Sequence, residues 1–471
     1  MNFLSDNLLY SIPAASSPSS TLGWFFSHGG FLIISIVVIW GFIQIWLDNR
    51  QSKFYESIKW IYLAIDVPQN SEQSPKAVEQ IFTQIWGSIS SPNFIEKWWE
   101  GKFMTNFSFE LVSIGGYIQY VVRAPNYFRD LVEAAIYAQY PDAQITEIED
   151  YSEKFTPDNF REKGYQLWGT QFIMNNDEAY PIKTYPLFEH SISQKIVDPM
   201  AAILEIFSRF GSGEEGWLQI VALPVGDSWK KKSAQIVGKL LGREVKDDPG
   251  AAGKVLDSSY QVAKKAGDIL WRVESEKGEE KKDEPWKMLA LSPQERSIVE
   301  GIERKSDKIG YKVKIRYIYF GNQGNFSKAR GVSGVTGALN QFSLLNSNGF
   351  RPCGLVTTKR EYYRVEKRTY QRQRAILRSY KSRSQTDGCT EDGYILNTEE
   401  LASIYHFPYK DVIAPTLRTA AAKRAEAPIF LPTDTIPEER VEQTKQPVAE
   451  EKKLLVPPTE NQGGPPTNLP V

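Results

Sequence analysis

Phe107-Ser-Phe-Glu-Leu-Val-Ser-Ile-Gly-Gly-Tyr-Ile-Gln-Tyr-Val-Val-Arg123 is the stretch that decides the fold class. Apolar and polar residues alternate through Phe107–Leu111 and again through Ile118–Arg123, the period of a pleated strand with one buried face. Gly115-Gly116 lies between them and tolerates the positive φ of a tight hairpin turn. Phe128, Leu131, Val132, Ala135 and Ile136 then recur at helical spacing, giving a helix with one apolar face. Pro141-Asp142 stops it, and Ala143–Glu149 can return as a strand. The order β-β-α-β predicts an α+β sandwich of ferredoxin-like type.

The pattern continues downstream. Tyr165–Asn175 reads as a strand, and Asp198-Pro199 opens a helix with a side-chain acceptor and a residue that needs no N–H partner. Ile203, Leu204, Phe207 and Phe210 form its apolar face, and Gly211 ends it. Trp217–Leu223 is the next strand and Ser228–Leu241 the next helix. Residues 243–285 turn charged and read as a solvated linker. The spacing therefore assigns 75–242 to a first α+β domain and 286–424 to a second of the same ferredoxin-like type.

The second domain opens at Ser292-Pro-Gln-Glu295, a capping box in which Ser and Glu each satisfy an orphan amide. Tyr311, Val313, Ile315, Tyr317 and Tyr319 then alternate with Lys312, Lys314, Arg316 and Ile318. One face of that strand is apolar. The other is basic, either charge protecting an exposed sheet face or edge, or an anion-binding surface. A helix follows from Phe326 to about Leu345. From residue 425 the chain becomes proline-rich and mildly acidic with almost no aromatic residues. Residues 425–471 are predicted to be a disordered tail that cannot bury enough surface to offset its chain entropy.

With 471 residues the chain has room for two or three domains. Twelve Trp, 23 Tyr and 24 Phe exclude a wholly disordered chain. The net charge of −1 supplies no global field toward nucleic acid or anionic lipid. Cys353 and Cys389, the two cysteines, fit a reducing compartment and read as ordinary small side chains. Phe31–Leu47 carries no charge, and extended back to Trp24 it is long enough to span a bilayer as a helix, with Trp24, Phe25, Trp40 and Trp46 as interfacial residues. No Lys or Arg precedes it, whereas Arg50, Lys53 and Lys59 follow. The sequence thus predicts a single-pass inner-membrane protein: an extracytoplasmic N-terminus at 1–23, a transmembrane helix at 24–47 and the bulk in the cytoplasm.

Motifs for chemistry are thin. The glycine-rich stretches 321–331 and 331–337 lack the Gly-Lys-Ser/Thr of a phosphate cradle, and Pro249–Val255 lacks its leading glycine and hydroxyl. Small residues packing a helix closely explain them. His28, His190 and His406 are scattered, without metal-ligand spacing, and there is no nucleophile elbow. No catalytic, cofactor-binding or metal-binding residue is predicted, and no enzyme. One tract is unusual. Lys359–Arg383 holds ten basic and two acidic residues with tyrosines interleaved at 362, 363, 370 and 380. Arg364, Arg368 and Arg372 are spaced to stack on one helical face. Arg364, Lys367, Arg368, Arg372, Arg374, Arg378, Lys381 and Arg383, with Tyr370 and Tyr380, are the candidate binding residues: the cations for phosphates, the rings for stacking on single-stranded bases. A solvated helix or contact with anionic lipid would use the same residues.

Three blocks carry a family resemblance. Phe109–Ile118 with Arg123–Glu133 and Ile136–Ala143 form the first, Leu291–Glu295 with Ile315–Tyr319 the second, and Asn397-Thr-Glu-Glu-Leu-Ala-Ser-Ile-Tyr-His-Phe-Pro408 the third. Together they resemble the region that precedes the motor in type IV secretion or conjugation ATPases of the HerA/FtsK-like class, especially membrane-anchored domains of candidate-phylum bacteria. The resemblance implies a membrane-anchored scaffold or adaptor of a translocation system that recruits a separate motor ATPase. ATP hydrolysis is not carried over, because no motor motif is present; the motor is a separate polypeptide, or the chain is a truncated form. The alternative is a membrane receptor that binds nucleic acid or anionic lipid through the basic tract. Expected partners are therefore the ATPase, membrane lipid, nucleic acid and a second copy of the chain.

Overall fold

The computed structural model describes residues 31–68, 73–188, 198–241, 291–322, 324–359, 361–390 and 393–408. The expected tail at 425–471, the charged linker at 243–285 and the N-terminal segment 1–23 lie outside these residues.

In chain order the elements are α1 (Phe31–Ser57), β1 (Trp60–Asp66), α2 (Pro75–Ile85), β2 (Phe107–Ile114), β3 (Tyr117–Pro125), α3 (Arg129–Gln139), β4 (Gln144–Ile148) and β5 (Tyr165–Met174). There follow α4 (Ala201–Ser208), β6 (Glu214–Pro224), α5 (Lys230–Leu240), α6 (Pro293–Ser306), β7 (Gly310–Asn322), α7 (Val335–Asn340), β8 (Phe350–Pro352), α8 (Val365–Lys381), β9 (Tyr394–Asn397) and α9 (Thr398–Ile404). The class is α+β. All strand pairs are antiparallel, in the order β4-β1-β3-β2-β6-β7-β5-β8, with β9 also beside β7.

The order contains a repeat. β1-α2-β2-β3-α3-β4 lie as 4-1-3-2, and β5-α4-β6, β7-α7-β8 reproduce that arrangement in mirror order across the sheet. The two halves join where β2 pairs with β6, from Phe107↔Ala222 to Ile114↔Glu215. The expected division into domains at 75–242 and 286–424 is therefore replaced by one continuous sheet. The charged stretch 243–285 falls inside the connection between β6 and β7, which pair from Glu214↔Gly321 to Pro224↔Tyr311. β1, which was not anticipated, begins the first half ahead of residue 75.

Local signals behave as their chemistry requires. Gly115 and Gly116 have φ of 59° and 88°, and a Cβ on Gly116 would lie 2.7 Å from the Phe210 carbonyl oxygen, so the β2–β3 turn needs glycine. Capping boxes form at Ser292/Glu295 and at Asn397/Glu400. The helix expected from Phe326 to Leu345 is shorter: a π-turn at Ala329–Gly334 precedes α7.

Two apolar clusters cover opposite faces of the sheet. On one, Phe82, Ile136, Phe207, Leu339, Leu401 and Ile404 from the helices meet Leu63, Phe109, Ile220 and Ile315. On the other, Trp217, Ile318 and Phe320 meet Phe155, Phe160 and Ile376, Leu377 and Tyr380 of α8. Full burial of each such side chain stabilises by about 1.5–3 kcal/mol. β7 is consequently buried on both faces, and the expectation that Lys312, Lys314 and Arg316 mark an exposed face or edge is corrected. Lys314 and Arg316 are fully buried, donating to loop carbonyls of the segment that follows α8.

The membrane expectation is also corrected. Residues 24–30 lie outside the described residues. Within α1 the uncharged part is Phe31–Leu47, after which Asp48, Arg50 and Lys53 continue the helix. Seventeen residues rise roughly 26 Å, short of a hydrocarbon layer of about 30 Å. No helix among the described residues is long and apolar enough to cross a membrane. The single-pass topology and the inner-membrane location derived from it are therefore withdrawn. α1 exposes Phe31, Ile36, Trp40, Phe42 and Ile45 and is held at its far end, where Arg50 lies over the Trp99 ring and Tyr55 donates to the Ser382 carbonyl.

Candidate nucleic-acid interface

The basic tract folds mainly as α8, and its underside is apolar because Ile376, Leu377 and Tyr380 fall on one helical face. That face rests on β5, β6 and β7. What remains of the positive charge depends on where each side chain is drawn.

Five of the expected cations are engaged within the fold. Arg372 Nη1 donates to the Gly354 and Thr357 carbonyls at 2.9 and 2.6 Å. Arg374 pairs with Asp158 at 2.6 Å, and Lys381 Nζ donates to the Phe155 carbonyl at 3.0 Å. Arg368 Nη1 donates to the Tyr362 carbonyl at 3.0 Å while staying partly exposed. Arg383 is fully buried: Nε donates to Glu110 at 3.1 Å and Nη1 to Asp150 at 2.6 Å. Tyr380 is also buried, its hydroxyl 2.6 Å from that of Tyr151. Arg383 and Tyr380 therefore cannot meet a macromolecule and leave the candidate set. Desolvating a guanidinium is unfavourable unless anions replace the water, and Glu110 and Asp150 do so.

The electrostatics of this cluster follow from burial and pairing. Burial pushes the Asp150 carboxyl up, but hydrogen bonds and charge from Arg383, with the Ser152 donors, outweigh it and hold the group at about 2. Glu110 is likewise raised by burial, yet Arg383, Ser108 and Tyr151 bring it below the ordinary carboxylate range. Burial also lifts Tyr62 to about 12, against the opposing charge of Arg383. Arg316, buried without a carboxylate in hydrogen-bond contact, is lowered to about 10 by desolvation.

Of the remaining cations, two stand at the N-terminal end of α8, whereas Arg378 lies in its last turn. Arg364, Lys367 and Arg378 are exposed, and Arg364 and Lys367 lie within one turn of Arg368. Just ahead stand Tyr362 and Tyr363, 78% and 73% exposed. Tyr363 and Arg364 have φ of 40° and 47°, a conformation disfavoured for residues with a Cβ, and such strain is concentrated at binding and catalytic sites. The Arg364 guanidinium lies 5.2 Å from the Tyr363 ring centroid. Glu361 is paired with Lys359. Tyr370, expected to stack on bases, is instead half-buried against Phe160 and beneath Arg161.

A cleft of about 680 Å³ opens beside this tip, between the start of β5 and the first half of α8. Its lining includes Tyr165, Trp168, Phe326, Lys328, Lys359 and Thr369. Aromatic side chains and ammonium groups thus line one groove, with Trp168 itself only 9% exposed. Tyr362, Tyr363, Tyr370 and Tyr380 are all interleaved with the cations in the sequence, and Tyr370 and Tyr380 were the two expected to bind. The structure reverses that choice, leaving Tyr362 and Tyr363 exposed while Tyr380 is buried and Tyr370 half-buried.

Among the described residues no group of three or more His, Cys, Asp or Glu could hold a metal ion. His406 is buried, with Nε2 2.9 Å from Asp198 Oδ1 and Nδ1 2.7 Å from the Ala402 carbonyl, and ties α9 to the start of α4. His190 lies outside the described residues. Cys353 and Cys389 are joined in a disulfide, which corrects their reading as separate small side chains.

No curated protein matches the chain. A family model described as a domain of unknown function, DUF8128, matches residues 67–419, about three quarters of the chain. The match runs through the whole described sheet from β2 to β9 and includes α8 and its tip, so the chain belongs to the DUF8128 family.

Proposed function

We propose that the chain is a binding module without chemistry of its own, and that the tip of α8 engages single-stranded nucleic acid. The carrying observation is the pair of exposed rings, Tyr362 and Tyr363, on a strained turn beside Arg364, Lys367 and Arg368. Rings stack on any base, and the three cations neutralise the adjoining phosphates. The neighbouring cleft, with the half-buried Phe326, accommodates the next base. Each half of the sheet is read as a ferredoxin-like unit, with α8 laid over the face that such units leave open.

Fluorescence anisotropy of the full chain with an oligothymidylate tests this. Binding through three cations predicts a log–log salt slope of about −2 for a single strand. Binding that ignores salt, or no binding at low salt, refutes the reading.

The resemblance of Asn397–Pro408 and its companion stretches to the pre-motor region of HerA/FtsK-like ATPases supports a wider role, as an adaptor that presents nucleic acid to a separate motor. Co-purification with such an ATPase is its test. The adaptor should retain the motor after the tip is neutralised, and a motor lost with the tip would mean that the tip itself is the protein contact.

A further inference from the structure

The sheet face beneath the end of α8 carries a row of polar side chains in register across four strands. Glu110 on β2 is opposite Gln219 on β6, Gln219 opposite Arg316 on β7, and Arg316 opposite Gln171 on β5. All four are fully buried. One strand step away the same face is apolar, with Val112, Trp217 and Ile318 in line. A buried polar row is costly unless each group finds a partner. Ser108 and Tyr151 donate to Glu110, and the other partners come largely from residues 380–389. Gln219 donates to the Tyr380 carbonyl at 3.0 Å. Arg383 meets Glu110. Arg316 donates to the carbonyls of Ser384 and Asp387, and Lys314 to that of Asp387 at 2.9 Å. Gln171 clasps Cys389 from both sides, donating to its carbonyl at 2.6 Å and accepting from its amide at 3.2 Å.

This strap is bent at several points. Arg383, Gly388 and Thr390 have φ of 50°, 107° and 58°, and a Cβ at Gly388 would collide with Gln171. Its end is fastened covalently, by the disulfide from Cys389 to Cys353. Cys353 is itself placed against β5, its amide donating to the Gln171 carbonyl at 2.8 Å. The bond therefore closes the excursion of the chain that carries α8. Both cysteines are buried, but Gly388 and Thr390 beside Cys389 are exposed, so a thiolate can approach from the strap side.

We propose that residues 382–390 are a redox-latched strap, closed over the polar row by the Cys353–Cys389 disulfide and released when that bond is reduced. A dithiol reductant supplies the step. One thiolate attacks a cysteine sulfur to give a mixed disulfide, and the second thiol resolves it. Two electrons and two protons pass to the cysteine pair while the reductant closes into its own disulfide. Glutathione disulfide can drive the reverse reaction, taking up the two electrons and two protons. In the released state the bent strap has no covalent anchor, and Gln171, Arg316 and Lys314 exchange its carbonyls for water.

Hydrogen–deuterium exchange on the full chain, before and after dithiothreitol, tests the latch, with alkylation reporting the free thiols. Reduction should speed amide exchange in 382–390 by about tenfold or more and leave β2 and β6 protected. The variants Cys389→Ser and Cys353→Ala should show the fast rate with and without reductant; if either fails to fold, reduction of the unaltered chain is the deciding measurement. Unchanged exchange after complete reduction overturns the proposal, as does full alkylation of both thiols after treatment with glutathione disulfide. Release of the strap does not rest on the proposed function. Oligothymidylate binding absent in both redox states would count against the binding role alone.

Discussion

At its C-terminal end α8 delivers Lys381 and Arg383 to the Phe155 carbonyl, Glu110 and Asp150, all inside the fold. At its N-terminal end Tyr362, Tyr363, Arg364 and Lys367 face water. The two ends come from one tract of similar composition, yet one is a structural anchor and the other is available for binding. A guanidinium sunk among carboxylates gives no field to solvent, so counting basic residues overstates the surface charge. The anchor also fixes the tip, because the helix between them is held by Ile376 and Leu377.

The comparison can be tested by breaking each end. Arg383→Ala leaves Glu110 buried without its cation and should cost about 3–5 kcal/mol in denaturant unfolding. A loss below about 1 kcal/mol would show that the C-terminal end is not an anchor. At the other end, Tyr362→Ala with Tyr363→Ala should weaken oligothymidylate binding by about 1–3 kcal/mol per stacked base and leave the denaturation midpoint unchanged.

Acid separates the ends next. Asp150 is held at about 2 in the folded protein, below its ordinary 3.8. A carboxyl lowered in this way contributes stability above about pH 4 and loses it as pH falls toward 2. The partly accessible Asp150 should account for on the order of 1–2 kcal/mol of that loss. Stability that is flat between pH 4 and pH 2 would contradict the pairing with Arg383. The smallest effect is expected from Arg364→Gly. Glycine suits the φ of 47° at this position, so the change should stabilise the fold by up to about 1 kcal/mol while weakening nucleic-acid binding. Opposite signs for stability and binding would place the strain in the service of the site; a destabilised variant would mean Arg364 is structural.

Much of the local structure was legible. The β2–β3 hairpin could be read because period-two alternation and Gly115-Gly116 point to one answer, and the capping boxes because Ser292/Glu295 and Asn397/Glu400 satisfy the same amides in any context. The tertiary assignments were not. Lys312, Lys314 and Arg316 look like a solvent face until the strap carbonyls that receive them are in place. Cys353 and Cys389 lie far apart in sequence and meet only through β5. The charged residues 243–285 look like a domain boundary, but β6 and β7 pair across them. The apolar run before Leu47 resembles a bilayer span in composition, whereas the described helix meets Asp48 after 17 uncharged residues.

The central claim is that the basic tract offers only its N-terminal tip to a nucleic acid. Ultraviolet crosslinking of an oligothymidylate to the full chain, followed by peptide mapping, tests it most directly. The account predicts adducts on Tyr362 or Tyr363, with Phe326 as a secondary position. Adducts confined to the surface around Arg378, or none at an oligonucleotide concentration that saturates binding, would contradict it.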